Sequence, residues 1–219
     1  LSRRLNADLL VFDLDGTLID SKLDLAHSVN AARAHLGLDP LDPELIYGYV
    51  GDGAPTLIKR ALPEDATSQQ CERALLYFLA YYREHMLDYT VLYPGVREGL
   101  DRLYRAGKQL AILTNKPVRI SIGILAGLGL DLHFFRIYGG NSFEQKKPDP
   151  VGIKALCVES KVPQARTVMV GDSDVDILTA RNAHCIACGV SYGFKPESLV
   201  EHPPDLMVDS LEELADAVL

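Results

Sequence analysis

The chain has 219 residues, 47% apolar and 24% charged, a globular composition that excludes a disordered chain, a collagen-like repeat and a coiled coil. Lys and Arg number 22 against 30 Asp and Glu, a formal charge of −8, so nucleic acid is a poor partner and any phosphate-bearing ligand needs local positive charge or a metal. The length suffices to bury a sizeable core without disulfide staples.

Near the start, Arg3-Arg4 has the look of an export signal. The apolar stretch behind it is only Leu9 to Phe12 and lies between Asp8 and Asp13, too short and too acidic for a signal core. A buried strand is expected there, over residues 9–14. Between residues 21 and 86 the patterning is helical. Leu25, Val29, Ala32 and Leu36, closed by Gly37, mark one helix face; Cys71, Leu75, Phe78, Leu79, Tyr82 and Met86 mark another. Tyr77, Tyr81, Tyr82 and Tyr89 fit packing between this segment and the rest of the chain rather than a binding surface. Tyr93-Pro94-Gly95 marks a return to alternating strands and helices. Val96, Leu100 and Leu103 form a helix ended by Gly107. Further strands are expected over residues 109–114, 134–138, 167–170 and 185–190, with a weaker one at 206–208. Pro117 and Pro150 are placed to open helices at the first turn. No apolar run approaches the roughly 18 to 20 residues of a membrane span.

Strands alternating with helices imply right-handed crossovers. The fold class is therefore α/β: a doubly wound, mostly parallel, Rossmann-like sheet. Residues 1–20 and 87–219 form its core, and residues 21–86 form a helical domain inserted after the first strand. Cys71, Cys157, Cys185 and Cys188 are expected as reduced thiols in a cytoplasmic protein. His184-Cys185-x-x-Cys188 has half the ligands of a zinc site, but no second pair lies nearby, so these cysteines read as structural.

Four stretches carry chemistry. At Val11-Phe12-Asp13-Leu14-Asp15-Gly16-Thr17 an apolar strand ends in two carboxylates two residues apart, which a strand would place on one face. Two like charges side by side are costly without a cation between them or a proton on one. At Val170-Gly171-Asp172-Ser173-Asp174-Val175-Asp176 a second strand ends in acid and opens a helix; a helix cap explains one of these acids but not three. Thr114-Asn115-Lys116 offers a hydroxyl and an amide at a strand tip, and Lys146-Lys147-Pro148 leads into a helix. In an open parallel sheet, ligands bind beyond the carboxyl ends of the strands. All four stretches fall at such ends or just before a neighbouring helix. Four acids facing a phosphate dianion require a divalent cation and a lysine, and oxygen-only ligands favour Mg²⁺.

The order Asp-x-Asp-Gly-Thr, strand-end Thr, Lys, Gly-Asp-x-x-x-Asp resembles the haloacid dehalogenase-like phosphohydrolase superfamily, over residues 13 to 176. Asp13-Leu-Asp-Gly-Thr-Leu-Ile-Asp20-Ser21, Tyr49-Val-Gly51-Asp-Gly53-Ala, Thr114-Asn-Lys116-Pro and Ser191-Tyr-Gly-Phe194 are similar to phosphoglycolate phosphatases within it. The resemblance implies that Asp13 is the nucleophile forming an aspartyl-phosphate and that Asp15 is the general acid and then the base. It implies that Thr114, Asn115 and Lys147 hold the phosphoryl group. Asp13, the main-chain carbonyl of Asp15 and Asp172 would bind Mg²⁺, with Asp176 holding a metal water or Lys147.

The inserted domain would be a cap, with Lys22, Arg33, Lys59 and Arg60 as its basic candidates for meeting a small acidic leaving group. The implied activity is hydrolysis of a small phosphorylated metabolite, 2-phosphoglycolate first, by a monomer or homodimer without nucleic-acid or membrane partners. Sugar-phosphate or nucleotide phosphatase, pyrophosphatase and phosphomutase stay open within the superfamily. A phospho-receiver signalling module is the alternative from another class.

Overall fold

The computed structural model describes residues 5–219. They divide into two compact units, one of the residues up to Asp20 with Leu92–Leu219, the other Ser21–Val91. In chain order the strands are β1 (Leu9–Phe12), β2 (Ile19–Asp20), β3 (Val91–Leu92), β4 (Gln109–Leu113), β5 (Arg136–Tyr138), β6 (Thr167–Gly171), β7 (Ile186–Val190) and β8 (Leu206–Val208). The helices are α1 (Lys22–His35), α2 (Pro43–Tyr47), α3 (Ala54–Arg60), α4 (Ser68–His85), α5 (Val96–Arg105), α6 (Val118–Gly127), α7 (Val151–Ser160), α8 (Asp174–Asn182) and α9 (Leu211–Val218).

Six strands of the first unit form one sheet in the order β5-β4-β1-β6-β7-β8, with every pairing parallel. The doubly wound α/β fold expected from the sequence is thus the observed one. The chain leaves β1 for β4 and β5 on one side and for β6, β7 and β8 on the other, so the switch of direction falls at β1. On one face Leu9, Val11, Ala111, Leu113, Met169 and Ala187 pack with Ile153 and Leu156 of α7 and Ile177 and Ala180 of α8. The alternate residues Leu10, Phe12, Ile112, Val168 and Val170 are equally buried, as a parallel sheet covered on both faces requires.

Element ends differ from the sequence reading for local reasons. β1 stops at Phe12, not at residue 14. The Asp13 N–H adds one more ladder bond, to the Val170 carbonyl at 2.9 Å. Then the Leu18 and Ile19 N–H groups both return to the Leu14 carbonyl, closing a tight loop through Gly16 at φ +82°. β5 starts two residues later than expected, after a 3-10 turn at Asp131–His133. Phe134 earns its apolar signature from an edge-on contact with Phe12, ring centroids 6.3 Å apart. Pro117 and Pro150 each stand one position ahead of the first helical residue.

In the second unit α1 buries Leu25, Val29 and Ala32, and α4 buries Ala74, Phe78 and Tyr82. A reciprocal cap opens α4: the Gln70 N–H donates to Thr67 Oγ1, and the Thr67 N–H donates to Gln70 Oε1. The fully buried Asp24 carboxylate ties this unit together by accepting from the Tyr89 N–H, the Thr90 N–H and the Thr90 hydroxyl. The tyrosines do not share one packing role. Tyr82 is buried, whereas Tyr77 and Tyr89 are exposed, and Tyr77 and Tyr81 stack on His35 and His85 with centroids 4.2 Å apart in each pair. Arg33 binds the carbonyls of Asp39 and Ala61, and Arg60 pairs with Asp52 at 2.6 Å. No helix among the described residues is long and apolar enough to cross a membrane.

Candidate active site

The carboxyl ends of β1, β4 and β6 lie side by side, because Phe12 is in register with Ile112 on one side and Val170 on the other. Past β1 the strand geometry has ended, so Asp13 and Asp15 do not act as a pair on one strand face. Each has its own lysine. Lys147 Nζ lies 2.9 Å from Asp13 Oδ1, and Lys116 Nζ lies 2.9 and 3.0 Å from the two Asp15 oxygens. Both lysine side chains are almost wholly buried.

Asp172 and Asp176 come from the turn after β6 and the first turn of α8. Asp172 is held from three sides. Oδ1 accepts from the Thr17 hydroxyl at 3.2 Å, while Oδ2 accepts from the Phe194 N–H at 2.7 Å and the Lys195 N–H at 3.3 Å. Two glycines make room for it. A Cβ on Gly16 would stand 2.3 Å from Asp172 Oδ2, and one on Gly193 would stand 2.1 Å from the Asp172 Cβ. Asp176 is fully buried and bridges two functions. Its Oδ1 accepts from Lys147 Nζ at 2.6 Å, and its Oδ2 accepts from the Ser173 hydroxyl and N–H ahead of α8. It is therefore a helix cap and a lysine anchor at once.

At the end of β4, Thr114 is buried and its Oγ1 accepts from the Lys116 N–H at 3.2 Å. The Asn115 amide donates to the Lys147 carbonyl at 3.2 Å, which fixes the backbone that carries Lys147. The structure thus brings Asp13, Asp172, Asp176 and Lys147 into one cluster, with Asp15 on the same loop as Asp13 and paired to Lys116 from the end of β4.

Electrostatics follow from burial. Desolvation raises the Asp13 carboxyl to about 6; Lys147 opposes that rise, and Asp176 adds to it. Asp172 is raised to about 7, first by burial and then by Asp176 and Asp13, against the pull of the Phe194 and Lys195 N–H groups. Burial works against the Lys147 ammonium, but Asp13 and Asp176 outweigh it and hold its proton above the usual lysine range. Tyr93 and Tyr192, with ring centroids 4.8 Å apart, border this negative region. Burial, followed by the nearby carboxylates, pushes both phenols up, and the Tyr192 hydroxyl donates to the Thr17 carbonyl.

Comparison with known proteins fits this geometry. The family model for haloacid dehalogenase-like hydrolases matches residues 10–190. The chain belongs to the haloacid dehalogenase-like hydrolases. Among curated relatives, a phosphoglycolate phosphatase of Chromobacterium violaceum is 42% identical over 94% of both chains. One from Neisseria meningitidis is 37% identical over 94% of this chain and 91% of its own. Among solved structures, a predicted phosphoglycolate phosphatase from Haemophilus somnus superposes with a TM-score of 0.92 at 32% identity, covering 96% of this chain and 97% of that one.

In this hydrolase one oxygen each of Asp13, Asp172 and Asp176 lie within 4.8 Å of one another, a spacing that fits a single metal ion. Three further observations agree with a divalent cation. Asp13 Oδ1 is buried and in ion contact with Lys147, yet has no hydrogen-bond partner of good geometry among the described residues. With all four carboxylates ionised, they face two ammonium groups and leave two negative charges in excess. All donors are oxygens, the set preferred by a hard cation. Cys185 and Cys188 take no part in this site. They are free thiols, pushed up to about 12 by burial.

Reading the sequence gives no partner to Lys116, although it directly follows Thr114-Asn115 and its ammonium pairs with Asp15. It also gives no role to the Thr17 hydroxyl or to the Phe194 and Lys195 amides. Their partner Asp172 is 155 residues from Thr17, and nothing local announces that contact.

Proposed function

We propose that this chain is a Mg²⁺-dependent phosphomonoester hydrolase that transfers the phosphoryl group first to Asp13 and then to water, with 2-phosphoglycolate as substrate. The observation that carries the reading is the division of labour on one loop. Asp13 is paired with Lys147 and set among the acids, and Asp15 is paired separately with Lys116.

In the first half-reaction an Asp13 oxygen bonds to phosphorus and the bond to the ester oxygen breaks. The departing alkoxide takes a proton from Asp15. In the second half-reaction Asp15 removes a proton from water, whose oxygen attacks phosphorus, and the Asp13 acyl-phosphate bond breaks to release inorganic phosphate. A carboxylate suits the nucleophile because, once ionised, it needs no further base. Lys147 neutralises charge on the transferring group, and Asp176 holds Lys147 in position. Thr114 and the backbone after β4 provide donors for phosphoryl oxygens. Asp13, the Asp15 carbonyl and Asp172 would hold Mg²⁺, which supplies charge neutralisation between the carboxylates and the phosphoryl oxygens. Asp176 lies close enough to complete the set.

The substrate assignment is supported by the phosphoglycolate phosphatases to which the chain is similar. The unit Ser21–Val91, inserted between the catalytic loop and α5, is read as the cap that selects the leaving group and excludes water. Four free thiols suit a reducing, cytoplasmic compartment.

The test is phosphate release from 2-phosphoglycolate. Excess chelator should stop it, and Mg²⁺ should restore it. Asp13→Asn should abolish turnover while circular dichroism stays unchanged. Substantial turnover by that variant refutes the nucleophile, and full rate in chelator refutes the metal. Faster release from sugar phosphates or nucleotides refutes the substrate.

A further inference from the structure

The mechanism above gives a task to one buried ammonium and leaves the other without one. Among the described residues Lys116 and Lys147 are the two buried lysines. Lys147 serves two carboxylates, Asp13 at 2.9 Å and Asp176 at 2.6 Å. Lys116 has Asp15, at 2.9 and 3.0 Å, with side chains 4% and 13% exposed. Its backbone is pinned on both sides: its N–H donates to Thr114 Oγ1, and its carbonyl accepts from the Gly140 N–H at 2.9 Å. A buried ammonium is expensive to keep unless matching negative charge faces it.

The next step rests on reading Asp15 as the group that protonates the leaving group. An acid must come within about 2.6–3.2 Å of the oxygen it protonates. Lys116 Nζ, in contact with the same carboxylate, then lies within about 6 Å of the ester oxygen. In the phosphate ester of a 2-hydroxy acid, the carboxylate is two bonds from that oxygen, so its own oxygens stand about 3 Å away from it. A substrate carboxylate turned toward Asp15 can therefore come within hydrogen-bonding reach of the Lys116 ammonium. The ammonium would be shared between Asp15 and the substrate, just as Lys147 is shared between Asp13 and Asp176.

We propose that Lys116 is a specificity-determining residue, selecting phosphate monoesters whose leaving group carries a carboxylate beside the ester oxygen. A neutral substituent at that position forfeits a charge-assisted hydrogen bond; a carboxylate gains it.

The test compares 2-phosphoglycolate with 2-hydroxyethyl phosphate, which replaces the carboxylate by an uncharged CH₂OH. Steady-state kcat and KM are measured for both esters in the wild type, Lys116→Gln and Lys116→Arg. Thermal melts check that each variant folds. The wild type should prefer the carboxylate ester. In Lys116→Gln that preference, as a ratio of kcat/KM values, should fall by about 10- to 100-fold, mainly through KM for 2-phosphoglycolate. Lys116→Arg should recover part of it. Competitive inhibition by glycolate should weaken in Lys116→Gln in parallel.

Equal losses on both esters overturn the inference and assign Lys116 only to holding Asp15. A wild type indifferent to the carboxylate overturns it as well. A wild type that turns over neither ester fells the proposed function and this inference with it. A wild type that prefers the carboxylate, with a Gln variant that keeps the preference, fells the inference alone.

Discussion

Replacing Asp172 by Asn should make the metal-free protein more stable at neutral pH while abolishing its response to Mg²⁺. The carboxyl is raised from its ordinary 3.8 to about 7, chiefly by burial and by the neighbouring charges of Asp176 and Asp13. A folded-state value above the unfolded one means that the folded protein binds more protons in that window, so stability falls as pH rises from about 4 to about 7. At about 1.4 kcal/mol per pH unit, the full cost of ionised Asp172 above pH 7 has a ceiling near 4 kcal/mol. Asn is nearly the same shape. Its amide oxygen can accept from the Phe194 and Lys195 N–H groups, and its NH₂ can donate to the Thr17 hydroxyl. Exchanging charge-assisted for neutral hydrogen bonds trims the gain to about 2 kcal/mol. In a chain of this size that is about 4–8 °C in Tm.

The assay is thermal unfolding in chelator at pH 8 and below pH 4, then at pH 8 with Mg²⁺. The variant should melt higher than wild type at pH 8, with the advantage gone below pH 4, where the carboxyl is protonated in both states. Mg²⁺ should raise the wild-type Tm and leave the variant unmoved. A variant that melts below wild type at pH 8 in chelator, or that keeps the Mg²⁺ shift, refutes the electrostatic account of this cluster.

Gly16→Ala should cost about 1–2 kcal/mol in backbone strain at φ +82° and drive Asp172 out of place, since the new methyl would lie 2.3 Å from its Oδ2. Turnover should fall on the order of 100-fold, as for a displacement of about 1 Å in a catalytic group; near-normal kcat would dismiss the close approach. Asp176→Ala removes the 2.6 Å partner of buried Lys147 and the acceptor ahead of α8, so denaturant unfolding should show a loss of about 3–5 kcal/mol. A loss under about 1 kcal/mol would mean that the pair contributes little. The Cys188 thiol is buried and pushed up to about 12, so a disulfide reagent at pH 8 should label it only on unfolding. Prompt labelling of the native protein would contradict that burial.

Strand cores and helix starts were legible because their signals are local. A run such as Leu9–Phe12 is apolar at every position, and a sheet covered on both faces demands that. The same locality explains the errors at element ends. Whether β1 ran on to residue 14 depended on hydrogen bonds from Leu18 and Ile19 back to Leu14, which periodicity does not report. The same locality gives Phe134 the signature of a strand residue, although it precedes β5 and its ring packs edge-on against Phe12.

Residue types at strand ends pointed to Asp13, Asp15, Asp172 and Asp176 and to the Thr114-Asn115 and Lys146-Lys147 stretches, because four such stretches falling together exceed what caps and turns require, and the resemblance singled out Lys147. Which cation faces which carboxylate was decided by the tertiary structure. Lys116 and Asp15 are 101 residues apart, and Lys147 and Asp176 are 29 apart on different elements. Such pairings arise from the order in which parallel strands are laid side by side, and an amino-acid string encodes that order only through the packing of the whole sheet.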